Sequence, residues 1–153
     1  MRAEHINPFL NATINMFQQM FGLTPDALDP YVLEHSAKHR WEISGILGIT
    51  GEARGLIAIR FHRALTLKLL QKSGITTTNP DDEDEMINSM VGELINIVAG
   101  NAVSAMSGQS IDISPPIIVQ GENHRLSWPK SEPTICIPFR TPTGPFVVNV
   151  CIK

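Results

Sequence analysis

Between Met86 and Gly108 the sequence carries a single ionisable side chain, Glu93, in an otherwise neutral and mostly apolar segment. Asn96 follows three residues later. At helical spacing the two project side by side from one face, on a stripe that also holds Ser89, Gly100 and Ser104. A carboxylate beside a carboxamide suits hydrolysis, because the amide can hold a water while the carboxylate pairs with a cation or takes a proton. Neither group is a strong nucleophile. The sequence has no Gly-rich phosphate loop, no G-x-S-x-G elbow and no convincing Cys/His pair, so the chemistry has to act on a group that a partner presents. Gly92 and Gly100 flank the pair. Each costs ~1 kcal/mol relative to alanine inside a helix, and the compensating benefit is close approach of another backbone or a bulky group. The stripe therefore reads as a docking surface, with Ser89, Gly92 and Gly100 contacting a partner around Glu93 and Asn96.

The spacing alone does not single this pair out. Glu4 with Asn7 and Glu85 with Asn88 repeat it. Glu4 and Asn7 fall at or before a predicted helix start and Glu85 falls in an acidic helix start, which leaves the mid-helix pair as the candidate. A solvated polar stripe is the plainer reading of the pattern by itself.

The elements that position the pair follow from periodicity and punctuation. Asn7 and Pro8 predict an N-cap and first helical position, and Ile6, Phe9, Leu10, Thr13, Phe17, Met20 and Phe21 fall at helical spacing for a first helix that ends at Gly22. Residues 22 to 40 read as an irregular connection with a short strand around Tyr31 to Leu33. Trp41 to Thr50 and Gly55 to Phe61 predict a hairpin, followed directly by a second helix that stops at Gly74. Asn79 to Glu85 packs helix-start signals together, with Asp82 and Glu85 as a capping box, so the acidic run reads as a helix start and not a metal site. The third helix then runs on a broad apolar surface from Met86 to Met106.

Ile111 to Gln120 is strand-like but broken by Pro115 and Pro116, which predicts a bent or edge strand. Thr134 to Arg140 and Phe146 to Lys153 predict a last hairpin. A turn at Thr143 and Gly144 sets Ile135, Ile137 and Phe139 opposite Ile152, Val150 and Val148, and leaves Cys136, Arg140, Asn149 and Lys153 on a face that can meet water. That register also places Cys136 opposite Cys151, and both are expected as free thiols. The fold class is α+β, with helices packed on a mostly antiparallel sheet, as one domain over residues 1–153. No internal sequence repeat is evident.

With 153 residues, 42% hydrophobic and 18% charged, the chain can bury a full core without disulfides or structural metals. A formal charge of −3 without a Lys/Arg cluster leaves no electrostatic footprint for nucleic acid. Polar residues such as Asn96 and Asn149 interrupt the apolar stretches, so no membrane span is expected. The N-terminus lacks a secretory signal, and a cytoplasmic location follows.

Three stretches together resemble one family: Asn7-Pro8-Phe9, Gly45-Ile46-Leu47-Gly48-Ile49-Thr50-Gly51, and Gly92-Glu93-Leu94-Ile95-Asn96-Ile97-Val98-Ala99-Gly100-Asn101. They are similar to the CheX branch of the CheC/CheX/FliY chemotaxis phosphatases. The resemblance implies a CheC-like two-layer fold and removal of the phosphoryl group from the aspartyl phosphate of a CheY-type response regulator. It implies that Asn96 orients the attacking water and that Glu93 engages the regulator's active-site lysine. It places the Mg2+ ion in the regulator, with no cofactor bound by this chain, and it implies a homodimer formed through edge strands, with Ile111 to Gln120 as a participant. One site per chain is expected, because the first helix offers Asn11, Asn15 and Gln18 but no mid-helix Glu-x-x-Asn.

Two rivals stand beside this reading. One is a non-catalytic module that binds a response regulator, or a flagellar-switch-like adaptor, which would share the docking helix. The other is a metal enzyme using His35 and His39, which lacks an H-E-x-x-H arrangement and a clear third ligand. His5, His62 and His124 read as surface or hydrogen-bonded residues.

Overall fold

The computed structural model describes residues 3–34, 40–74, 79–106, 108 and 110–153; of residues 3 and 80 it describes the backbone alone. His35 and His39 lie outside the described residues. The elements are α1 (Ala3–Phe21), β1 (Asp26–Ala27), β2 (Tyr31–Val32), β3 (Ile43–Gly51), β4 (Gly55–Phe61), α2 (Arg63–Lys72), α3 (Pro80–Ala105), β5 (Ile111–Ile113), β6 (Ile117–Gln120), β7 (Ile135–Thr141) and β8 (Gly144–Ile152). The strands form one sheet in the order β1-β7-β8-β4-β3-β5, with β2 also on β7 and β6 also on β3. Each of these pairings is antiparallel. The α+β fold expected from the sequence is thus the fold observed.

Helices cover one face of the sheet. The odd residues of β3 and β4 and alternate residues of β7 and β8 point into a core that includes Ile43, Leu47, Ile57, Ile59, Ile137, Val148 and Val150, as the period of two in a strand requires. Phe146 on β8 binds the layers together. Its ring stacks on Phe17 of α1 at 4.5 Å and on Phe139 of β7 at 4.9 Å, and meets Phe61 of β4 at 5.5 Å. From α3, Ile87, Val91, Leu94, Ile95, Val98 and Ala102 enter the same core. By length and composition this helix, over Asp81–Ala105, is long and apolar enough to cross a membrane, against the expectation that its polar residues rule out a span. Its apolar side is occupied by the chain's own core.

Four local expectations are corrected. Helix α1 begins at Ala3, one turn before Asn7, so Pro8 sits inside the helix. Ile6, packed against the core, favours that added turn. Helix α3 is capped by Asn79, whose Oδ1 accepts the Asp81 N–H at 3.0 Å, with Pro80 in the first turn. Asp82 is therefore a first-turn carboxylate and not the cap. The last hairpin turns at Pro142 and Thr143, where proline pre-sets φ for the first corner, giving Ile135↔Val150, Ile137↔Val148 and Cys136↔Asn149. Cys136 and Cys151 do not face each other, and both are free and buried.

The fourth correction concerns the far face of the sheet. Cys136 and Asn149 do not meet water: they are 1% and 2% exposed, with the Asn149 amide donating to Cys136 Sγ at 2.9 Å. The segment around His124 folds over this face. Arg60, itself 2% exposed, donates from Nε to Ser44 Oγ at 2.9 Å and from Nη2 to the His124 carbonyl at 3.0 Å. His124 Nε2 lies 2.7 Å from Ser44 Oγ. A buried guanidinium is tolerable because its donors are satisfied.

Candidate functional site

The position of α3 is set from below and from its start. Below it lies Gly45 of β3. A Cβ placed there would stand 2.9 Å from Val91 Cγ1 and 3.4 Å from both Ile95 Cγ2 and Ile118 Cδ1, so the absence of a side chain lets the helix settle onto the strand. In the same stretch Gly51 adopts φ +106, and a side chain there would strike the Ser110 carbonyl. These contacts explain two glycines of the Gly45 to Gly51 run.

The start of α3 is clamped by Arg63, the first residue of α2. Its Nη2 lies 2.9 Å from Glu83 Oε1 and 2.6 Å from Asp84 Oδ1, and its Nη1 donates to Gln120 Oε1 at 3.1 Å. The hydrogen bond to Asp84 leads the effects that raise the Arg63 guanidinium above its ordinary value. Gln120 in turn donates to Asn88 Oδ1 at 2.7 Å and to the Asp84 carbonyl at 2.9 Å. Asn88 is thereby committed to holding β6 against α3, which removes Glu85 with Asn88 from the candidate pairs.

On the helix so held, Glu93 is exposed and Asn96 is half-buried one turn on, so the two form one patch as their spacing predicts. Ser89 is exposed and Gly100 is half-buried, with open space where a Cβ would stand. Gly92 does not belong to the surface. It is buried, and a Cβ there would contact Pro116 Cγ at 3.7 Å and Ile118 Cδ1 at 3.8 Å, ordinary packing distances, so its neighbours are side chains of the chain's own bent edge.

Periodicity did not reveal the cleft beside Glu93. It has a volume of about 520 Å3 and is lined by Met20 and Phe21 of α1, Ser73 after α2, and Asp82, Glu85, Met86, Ser89, Met90 and Glu93 of α3. Its floor is apolar and its rim carries three carboxylates. The signal was present in the sequence as the Met and Phe residues ending the first helix, but their meeting with α3 depends on tertiary packing. Among the described residues no group of three or more His, Cys, Asp or Glu side chains could hold a metal ion. The arrangement can pair a cation with Glu93, seat an apolar group in the cleft, and hold a water at Asn96.

Comparison with known proteins is consistent with this geometry. The family model for the chemotaxis phosphatase CheX matches residues 43–140. Among solved structures, a chemotaxis protein CheX from Desulfovibrio desulfuricans is 29% identical, with a TM-score of 0.87 over 98% of this chain and 99% of that one. A CheX from Vibrio vulnificus is also 29% identical, with a TM-score of 0.85 over 99% and 100%. The CheX of a CheX-CheY-BeF3-Mg2+ complex from Borrelia burgdorferi is 26% identical, with a TM-score of 0.83 over 99% of both chains. Thermotoga maritima FliY, at 17% identity and TM-score 0.73, shares the fold. No curated protein matches the chain. Since the family model spans well over half of the sequence and includes the helix that carries Glu93 and Asn96, the chain belongs to the CheX family of chemotaxis phosphatases.

Proposed function

We propose that this chain hydrolyses the aspartyl phosphate of a CheY-type response regulator in the cytoplasm, with α3 docked over the regulator's phosphorylation site. The observation that carries this reading is the joint presentation of Glu93 and Asn96 on an exposed face of the clamped helix α3, beside the apolar cleft. Phosphoryl transfer gains mainly from positioning and electrostatics around a loose transition state, which requires no nucleophile from this chain. Asn96 holds the water in line with the phosphorus. Glu93 pairs with a lysine of the regulator and fixes the helix in register, and Ser89 and Gly100 form the rest of the contact. The water oxygen bonds to phosphorus as the bond to the aspartyl oxygen breaks. The electron pair stays on the carboxylate, one water proton remains on the phosphate product and the other passes to solvent.

The Mg2+ ion belongs to the regulator in this reading. The Borrelia burgdorferi complex supports it, since a CheX is there assembled with CheY, BeF3 and Mg2+, and beryllofluoride is a common stand-in for a phosphoryl group. The chain further acts as a homodimer through the β5 and β6 edge, where Ile117 is 67% exposed. A docking module without hydrolysis would need no water-holding amide beside its carboxylate. The test is decay of the aspartyl phosphate on Mg2+-loaded CheY-type regulators from the same organism. Faster decay with the chain present is expected, and no acceleration for any regulator that binds would overturn the proposal.

A further inference from the structure

Between the loop that precedes β7 and the end of β2 lies a cavity of about 560 Å3. Two contacts fix where that loop sits. Leu33 donates its N–H to the Thr134 carbonyl at 2.8 Å. Cys151, which shares a face of β8 with Asn149, donates from Sγ to the Glu132 carbonyl at 3.8 Å, so the loop is seated on the face of the sheet that the helices leave bare. Pro129 and Pro133 hold φ at two points of the loop, which limits how far the lining can move. Among the described residues the lining includes none from α3.

Four charged side chains stand at this cavity, Arg125 and Lys130 of one sign and Glu34 and Glu132 of the other. Among the described residues none of these side chains makes a hydrogen bond or an ion pair. The indole Nε1 of Trp128, in the same lining, is buried and also has no partner. A buried indole N–H ordinarily donates to something, and leaving such a donor unmatched is costly. Val32, Leu33 and Leu126 supply an apolar part of the wall.

That set of groups selects a class of ligand. A simple anion would meet Arg125, Lys130 and the indole N–H but stand against two carboxylates, and a simple cation would reverse the conflict. A molecule that carries both charges satisfies both pairs. We infer that this cavity binds a small zwitterion, a free amino acid or short peptide with an apolar side chain. Arg125, Lys130 and the Trp128 N–H take its carboxylate, Glu34 and Glu132 take its ammonium group, and the apolar wall takes its side chain. A guanidinium is suited to a carboxylate because it can donate two parallel hydrogen bonds. A volume of this size lies within the range of small-molecule sites. With Glu93 and Asn96 outside the cavity, the site stands or falls apart from the phosphatase reading.

The chain has two tryptophans, and Trp41 stacks on His62 outside this lining, so Trp41→Phe leaves Trp128 as the reporter. Titration of the full Trp41→Phe chain with leucine, phenylalanine and leucyl-leucine is expected to give a saturable change in emission with a Kd below about 1 mM for at least one of them, matched by calorimetry on the unsubstituted chain. For the ligand that binds best, the N-acetylated form lacks the ammonium group and the C-terminal amide lacks the carboxylate. Each should bind at least about tenfold more weakly. Arg125→Gln with Lys130→Gln should remove the advantage of the free ligand over its amide, and Glu34→Gln with Glu132→Gln its advantage over the N-acetylated form, each in a chain of unchanged circular dichroism. No saturable binding by either method up to about 10 mM overturns the site. An N-acetylated or amidated form that binds as tightly as the free ligand overturns the zwitterion and leaves a site for one charge alone.

Discussion

Asn96 and Glu93 divide the work at the residue scale, and their substitutions should separate cleanly. Removing the amide takes away an interaction realised only when water attacks, so Asn96→Ala should lower turnover by about a hundredfold with regulator affinity within about twofold of wild type. Glu93→Gln keeps the shape and loses the charge, so it should raise the KM for the regulator as well as slow the reaction. Phosphate-release kinetics at varied regulator concentration read both. Behind the sheet, burial pushes the Cys136 thiol above its ordinary 9, against hydrogen bonds from Tyr31 and Asn149 and the charge of Arg60 that pull it down. The unfolded chain then ionises first, so this thiol's contribution to stability is complete below that pH and is lost as pH rises past it. Burial also lowers the Arg60 guanidinium to about 10. Its effect has the opposite sign: the unfolded chain holds that proton longer, so stability rises with pH above about 10. Thermal unfolding followed from about pH 8 upward, through the ordinary thiol range, should show a decline that Cys136→Ala flattens.

At the scale of elements, catalytic placement depends on how α3 is seated. Gly45→Ala forces a methyl group against Val91 Cγ1. It should cost roughly 1–3 kcal/mol, as overpacking does, and by lifting the helix it should also reduce turnover. Urea unfolding with activity on the same samples checks both; a fully active variant of unchanged midpoint would show that the contact is slack. The clamp of Arg63 on Glu83 and Asp84 acts on the same helix from its start. Partly exposed pairs of this kind contribute little stability each, so their value lies in register.

For the whole molecule, the exposed β6 edge is the consequential feature, because an open strand with an apolar side chain is a template for a second copy. Sedimentation should report a dimer, and Ile117→Lys should shift it toward monomer without unfolding the chain. A dimer unaffected by that change would place the interface elsewhere.

What the sequence determined by itself is local. The third helix, both hairpins, the bent edge at Pro115 and Pro116 and the adjacency of Glu93 to Asn96 follow from periods of 3.6 and 2 and from turn residues, which act between near neighbours. What only the tertiary structure decided is what depends on distant partners. A two-residue slip of the last hairpin keeps every side chain on its face, so the apolar pattern could not choose between the turn at Thr143 and the one at Pro142. Cys136, Asn149 and Arg60 alternate with apolar residues as solvent-facing positions do; Arg60 is buried against the segment around His124, and Cys136 meets Asn149 and Tyr31. Gly92 resembled part of a docking surface until Pro116 and Ile118 were found against it.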